Sequence, residues 1–160
     1  MATKRSNVQG RLNVGIRRDH VAIMKKSWGL TGKILSGEKT IESRWYKSKH
    51  RPWSRIKPGD KIYFKDSGGP VYIRTEVSRI IQAEDLTPAK VGKILKTYGR
   101  RDGIEPKDTK LFFERFKRSK YCLLMFLKNP ERINPFRIDK SGFGAMSAWI
   151  TVGDIKTVKK

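Results

Sequence analysis

Residues able to handle anions and heteroaromatic rings gather in one short stretch of the chain. Lys39, Glu42 and Arg44 fall within Gly37-Glu38-Lys39-Thr40-Ile41-Glu42-Ser43-Arg44. On an extended segment Glu42 and Arg44, two apart, point to the same face, and Lys39 just before it can lean towards them. Such a Lys–Glu–Arg set can hold a polar ligand while the carboxylate partly neutralises two cations; the competing reading is a surface ion-pair network that braces the fold. From Ser43 to Lys57 there is no acid. Arg44, Lys47, Lys49, Arg51, Arg55 and Lys57 alternate there with Trp45, Tyr46, His50 and Trp53. Cations neutralise phosphates and rings stack on unpaired bases, the composition of an RNA or single-strand surface. The alternative is a solvated loop whose two Trp belong to the core.

Other chemistries find less. The only histidines, His20 and His50, sit in no motif, and nothing in the spacing makes them converge as an acid–base pair. His50 fits a phosphate contact better. One cysteine, Cys122, excludes an internal disulfide framework and a cysteine-based zinc site. Glu84 and Asp85 are adjacent and diverge on regular structure, so no metal site and no cofactor are expected. Trp28 and Trp149 could floor a base pocket, although rings of that size more often fill the core of a small barrel. The cluster Arg115, Lys117, Arg118 and Lys120 closes an expected helix, where cations are stabilising whatever the partner.

These residues need a scaffold, and the chain is long enough for one domain. It has 160 residues, 37% of them hydrophobic, with a formal net charge of +22. That hydrophobic share supports a packed core, and the charge points to a polyanionic partner. No apolar run is long enough for a membrane helix. The patterns give strands at Val21–Met24, Ile41–Tyr46, Lys61–Lys65, Val71 to about Gln82, Tyr121–Leu127 and Ala148–Val152, with a further one at Asn134–Ile138. Ser27 is read as the cap of a helix over Trp28–Ser36, with Leu30, Ile34 and Leu35 buried and Gly37 as its stop. Thr87 caps a second helix with Val91, Ile94, Leu95 and Tyr98 on one stripe. A third begins at Asp108 and uses Leu111, Phe112 and Phe116. Asp66-Ser67-Gly68-Gly69 makes a tight hairpin connection. The sum is an α+β fold, a small partly open β-barrel with inserted helices.

The run from Gly37 to Arg44 reads G-x-K-x-x-E-x-R, which resembles the signature of ASCH domains in the PUA-like superfamily. The preceding helix, the Pro58-Gly59-Asp60 turn and the inserted helices extend the resemblance over roughly Val21 to Val152. It implies a PUA-like barrel whose motif residues line a ligand cleft. Some ASCH-like proteins are hydrolases, acting on RNA or on the amide of an acetylated cytidine. In the amidohydrolase branch the motif Lys works with a Thr where this chain has Glu42, plus a loop Glu for which Glu105 is the counterpart here. Glu42 departs from that pattern and argues against that particular activity.

The sequence therefore divides into a flexible basic arm (1–19), an ASCH/PUA-like domain (20–153) and a basic tail (154–160). The arm has no apolar segment, and the protein is expected to be cytoplasmic and monomeric. The expected function is RNA or single-stranded nucleic-acid binding in a cleft centred on Lys39, Glu42 and Arg44. The alternative is a hydrolase acting on RNA or a modified nucleoside with the same residues.

Overall fold

The computed structural model describes residues 17–160; most of the expected basic arm lies outside them. Six strands form one mixed sheet in the order β2-β5-β4-β3-β1-β6. They are β1 (Asp19–Met24), β2 (Ile41–Tyr46), β3 (Lys61–Asp66), β4 (Val71–Ala83), β5 (Tyr121–Phe136) and β6 (Trp149–Val152). β1 and β3 run parallel and the other pairs antiparallel. The long β4–β5 pair slips register near Val71, Arg74 and Val77. Such bulges bend strands and strengthen twist, so the sheet curls into a half-barrel. This is the expected α+β, partly open barrel with inserted helices.

Alternation decides the faces. Along β4, Val71, Ile73, Thr75 and Val77 are buried while Tyr72, Arg74 and Glu76 are half-buried. The concave face closes over Phe64, Ile62, Met125, Leu123 and Trp53. The outer face of β2 and β5 takes the helices α2 (Pro88–Tyr98) and α3 (Thr109–Phe116) through Val91, Leu95, Phe112 and Phe116. Thr87 caps α2, its hydroxyl accepting from the Lys90 amide at 3.3 Å, as its position before Pro88 implies. No helix among the described residues is long and apolar enough to cross a membrane.

Four local expectations need correction. Ser27 does not cap a helix at Trp28: Lys26–Trp28 is a 3-10 turn, Gly29 turns left-handed, and the helix α1 is Leu30–Ser36. Gly29 and Gly32, in the first turns of the expected helix, lower its propensity there and leave the shorter run. Asn134–Ile138 is not a separate strand, because β5 continues through Phe136 and Ile138 makes only an isolated bridge to Lys159. Leu111 is 65% exposed, since α3 rests on its Phe stripe. The segment 154–160 is more than a basic tail: Ile155 and Val158 are buried against Val21 and Tyr63.

A buried polar network locks β1 to its neighbours. Among the buried residues, His20 pairs with Asp60 at 2.9 Å through Nε2, and its Nδ1 accepts from the Trp149 indole at 3.2 Å. An accepting Nδ1 leaves the ring proton on Nε2, directed at the carboxylate. Asp60 also accepts from the Arg18 and Lys57 amides, each at 3.0 Å. Burial raises its pKa, yet these hydrogen bonds outweigh that penalty and hold the carboxyl below its ordinary value. A depressed folded-state pKa stabilises the protein above the unfolded carboxylate value of about 3.9, and that contribution is lost as pH falls below this value and through the lower folded one. Thermal unfolding followed from neutral pH to about pH 3 is expected to show this acid-side loss, and Asp60→Asn to flatten it while lowering stability at neutral pH.

Candidate functional site

The Lys–Glu–Arg motif lies where β2, an edge strand of the half-barrel, meets the loop after α2. Lys39 is only 1% exposed. Its ammonium donates to the Asp102 carboxylate at 2.6 Å, the Ile41 carbonyl at 2.6 Å and the Asp102 carbonyl at 2.8 Å. An ammonium has three protons, so each has a protein acceptor. Burial pushes the Asp102 carboxyl up, and Lys39 pulls it in the opposite direction. The other Asp102 oxygen accepts from the Ser43 hydroxyl at 2.5 Å, and Ser43 Oγ accepts from the Trp45 indole at 3.0 Å. Trp45 then stacks on Phe116 of α3, centroids 4.8 Å apart and rings nearly parallel.

The loop can close on Lys39 because Gly103 adopts φ +86°. A Cβ there would stand 3.1 Å from Leu30 and 3.4 Å from the Lys39 stem, besides favouring a different backbone. Thr40 and Ile41 donate their amides to the Arg101 carbonyl at 2.7 and 2.9 Å, extending the clamp to the start of β2.

Glu42 and Arg44 share a face, as the strand period requires, but they are not closely paired. Glu42 Oε1 accepts from the Ser43 amide at 3.1 Å, and stands 3.9 Å from Lys39 Nζ and 4.0 Å from Arg44 Nε. Glu42 Oε2 and Arg44 Nε are buried with no hydrogen-bond partner among the described residues. The Arg44 guanidinium crosses from β2 to the other edge of the sheet. It lies 5.0 Å from the Trp149 ring centroid and 3.5 Å from the Ala148 carbonyl.

Glu42, Ser43, Arg44 and Asp102 open on a cavity of about 200 Å³ walled by Trp28, Trp45, Phe112 and Phe116. Trp28 meets Phe112 edge-on and lies under two cations, Lys25 at 5.5 Å and Arg115 at 4.7 Å. The site thus combines an aromatic lining, one free carboxylate oxygen and a cationic rim. That arrangement can stack a flat heterocycle and accept a hydrogen bond from its edge.

The other expected site residues divide. Lys47, Lys49, His50, Arg51, Arg55 and Lys57 are exposed, but only His50 and Arg51 reach a cavity beside the motif. Lys49 pairs with Glu84 at 3.2 Å. Trp53, 6% exposed, is core: it packs edge-on against Tyr121 and is not free to stack on a base. Trp149 is buried as well and tied to His20; it meets Arg44 and lines the cavity beside His50 and Arg51, but not the aromatic one. Glu105 faces away from the motif, 3.5 Å from Lys33 and 3.6 Å from Lys107, which hold its carboxyl below the ordinary value. Asp102, three residues earlier in that loop, is the carboxylate that reaches Lys39. Sequence reasoning missed it, although it is the other acid of the loop and precedes the Gly that such a close approach requires. Arg115 and Lys25 were also missed; only the fold brings them over Trp28. Among the described residues, no group of three His, Cys, Asp or Glu side chains is placed to hold a metal ion.

No protein-family model matches the chain, and no curated protein matches it. Solved structures do. A mutant of ZmASCH from Zymomonas mobilis is 17% identical with a TM-score of 0.63, covering 88% of this chain and 94% of its own. A second ZmASCH mutant is also 17% identical at a TM-score of 0.63, covering 89% and 93%. ASCH from Zymomonas mobilis is 16% identical with a TM-score of 0.58, covering 82% and 85%. At that identity the agreement is one of architecture, and with the curled six-stranded sheet and its inserted helices it shows that the chain has an ASCH domain fold.

Proposed function

We propose that the protein binds RNA or another single-stranded nucleic acid, with one unpaired base in the aromatic cavity beside Glu42 and Arg44. The observation that carries this reading is that Glu42, whose Oε2 is buried without a hydrogen-bond partner, is a lining residue of that cavity. A desolvated acceptor without a partner costs free energy, and a base edge presenting an N–H would supply the missing bond. Trp28 and Trp45 provide faces for stacking, and the Lys25, Arg115 and Arg51 cations provide attraction for the backbone. The ASCH fold is consistent with this reading, as is a net charge of +22.

The hydrolase alternative draws less support from the geometry. A nucleophilic or basic lysine needs a free lone pair, and all three Lys39 protons are committed to protein acceptors. Glu105 stands outside the cavity. Lys39 thus acts as the brace of the site rather than as its reagent.

Arg51→Ala is expected to weaken binding of single-stranded RNA about equally across sequences and to reduce the salt slope of log K by about one phosphate contact. Titrations between about 50 and 200 mM salt check this; binding indifferent to salt would exclude a phosphate-tracking surface. Trp28→Ala should cost about 1–3 kcal/mol of binding, the worth of one stacked base. Lys39→Met should act differently: it leaves Asp102 buried without its partner at a cost of about 3–5 kcal/mol in stability, read as a large drop in the unfolding midpoint. Glu42→Gln should change the preference among bases with little change in that midpoint.

A further inference from the structure

A larger cavity of about 520 Å³ adjoins the aromatic one. It lies along the seam between the two edges of the sheet, whereas the aromatic cavity lies between β2, the end of β1 and α3. Arg44 is the residue common to the two linings. Tyr46, His50 and Arg51 wall the second cavity from the β2 side; Ser147, Trp149 and Thr151 wall it from the β6 side.

The two cavities differ in charge. The first contains Glu42 and Asp102, whereas no Asp or Glu lines the second among the described residues. In the first the acids stand beside Lys25 and Arg44, whereas in the second a phosphate meets Arg44, His50 and Arg51 with no carboxylate opposing it. Arg44 itself is poorly satisfied. Its polar contacts are 3.5 Å to the Ala148 carbonyl, 3.5 Å to the Met24 sulfur and 4.0 Å to Glu42, and Nε has no partner. A guanidinium with so few close bonds is available for the forked contact it makes best, to two oxygens of one phosphate.

We propose that the two cavities take two consecutive nucleotides of one strand: a base in the aromatic cavity, the phosphodiester that follows on Arg44, and the neighbouring nucleotide in the larger cavity beside His50 and Arg51. This rests on the nucleic-acid reading above and narrows it, because a single base would occupy only one of the two cavities that share Arg44. The ligand class is a single-stranded segment with an internal phosphodiester, not a free nucleoside or mononucleotide.

The test is equilibrium binding of three probes in parallel, for each of the four common bases. They are a nucleoside 5′-monophosphate, the matching dinucleotide, and that dinucleotide with an uncharged methylphosphonate linkage. The dinucleotide should bind at least about tenfold tighter than the monophosphate, the scale of one hydrogen bond to a charged group. The methylphosphonate should lose most of that advantage. In the double variant His50→Ala/Arg51→Ala, with its fold checked by circular dichroism, the ratio of the two affinities should fall towards one. Equal affinities in the wild-type protein, or a ratio unchanged in the double variant, would overturn the two-nucleotide site while leaving one-base binding intact. If neither the short probes nor a longer single strand binds, the nucleic-acid reading itself fails.

Discussion

The buried contact between Lys39 and Asp102 is the constraint on which the rest of the site depends. Removing an ammonium and a carboxylate from water costs several kcal/mol per ion, and the attraction repays it only when the remaining protons and lone pairs are also bonded. Here they are. Two carbonyls take the other Lys39 protons, and Ser43 occupies the second Asp102 oxygen. A pair of this kind adds little net stability over apolar packing, but it tolerates few alternative arrangements. It fixes the loop after α2 against the first residues of β2, and through Ser43 and Trp45 it sets the ring that walls the cavity. Gly103 belongs to the same constraint, since only a residue without Cβ lets the loop backbone lie on the Lys39 stem.

The seam has a second origin, in the sheet. β2 and β6 are its edges, and edge strands present unpaired backbone groups that proteins must cover, shorten or charge. Bulges along β4 and β5 curl the sheet far enough to bring those edges face to face without joining them. Arg44 spans the gap with long contacts instead of a ladder of hydrogen bonds. The opening is thus a consequence of incomplete closure, and β2 at its margin turns Glu42 and Arg44 to the face opposite the helices. Fold and site share a cause: had the bulges closed the barrel, the motif would face a ladder partner rather than a ligand.

Much of this was legible in the sequence, and the failures have physical reasons. Periodicity of two placed Glu42 and Arg44 on one face and gave most strands close to their observed bounds, because alternation is a local property of the chain; β5, which runs on from Leu127 to Phe136, was the exception. The capped helix at Thr87 was legible for the same reason. Long-range closeness was not. Asp102 reaches Lys39 over a separation no local pattern encodes, whereas Glu105, the loop acid that the resemblance singles out, lies with Lys33 and Lys107 instead. Trp53 shared its composition with a stacking surface, yet burial claimed it, as burial claims most large rings in a small core. Residues such as Lys49 and Arg55 are basic and exposed without facing either cavity.

That last distinction separates affinity from recognition. A strongly positive surface attracts any polyanion and speeds its arrival, an effect that salt screens and that carries no sequence information. The charge spread over the chain serves that purpose wherever it sits. Recognition requires groups that are desolvated, aimed and unsatisfied, since only these gain from one ligand and lose from another. In this fold such groups are few: one oxygen of Glu42 and one nitrogen of Arg44, held apart by the brace beneath them. Had Lys39 been the free cation and Arg44 the buried one, the cavity would hold a plain anion site. Because the brace consumes Lys39 completely, the cavity instead offers an acceptor and a forked donor side by side. That is a pairing suited to a base on one side of Arg44 and a phosphate on the other.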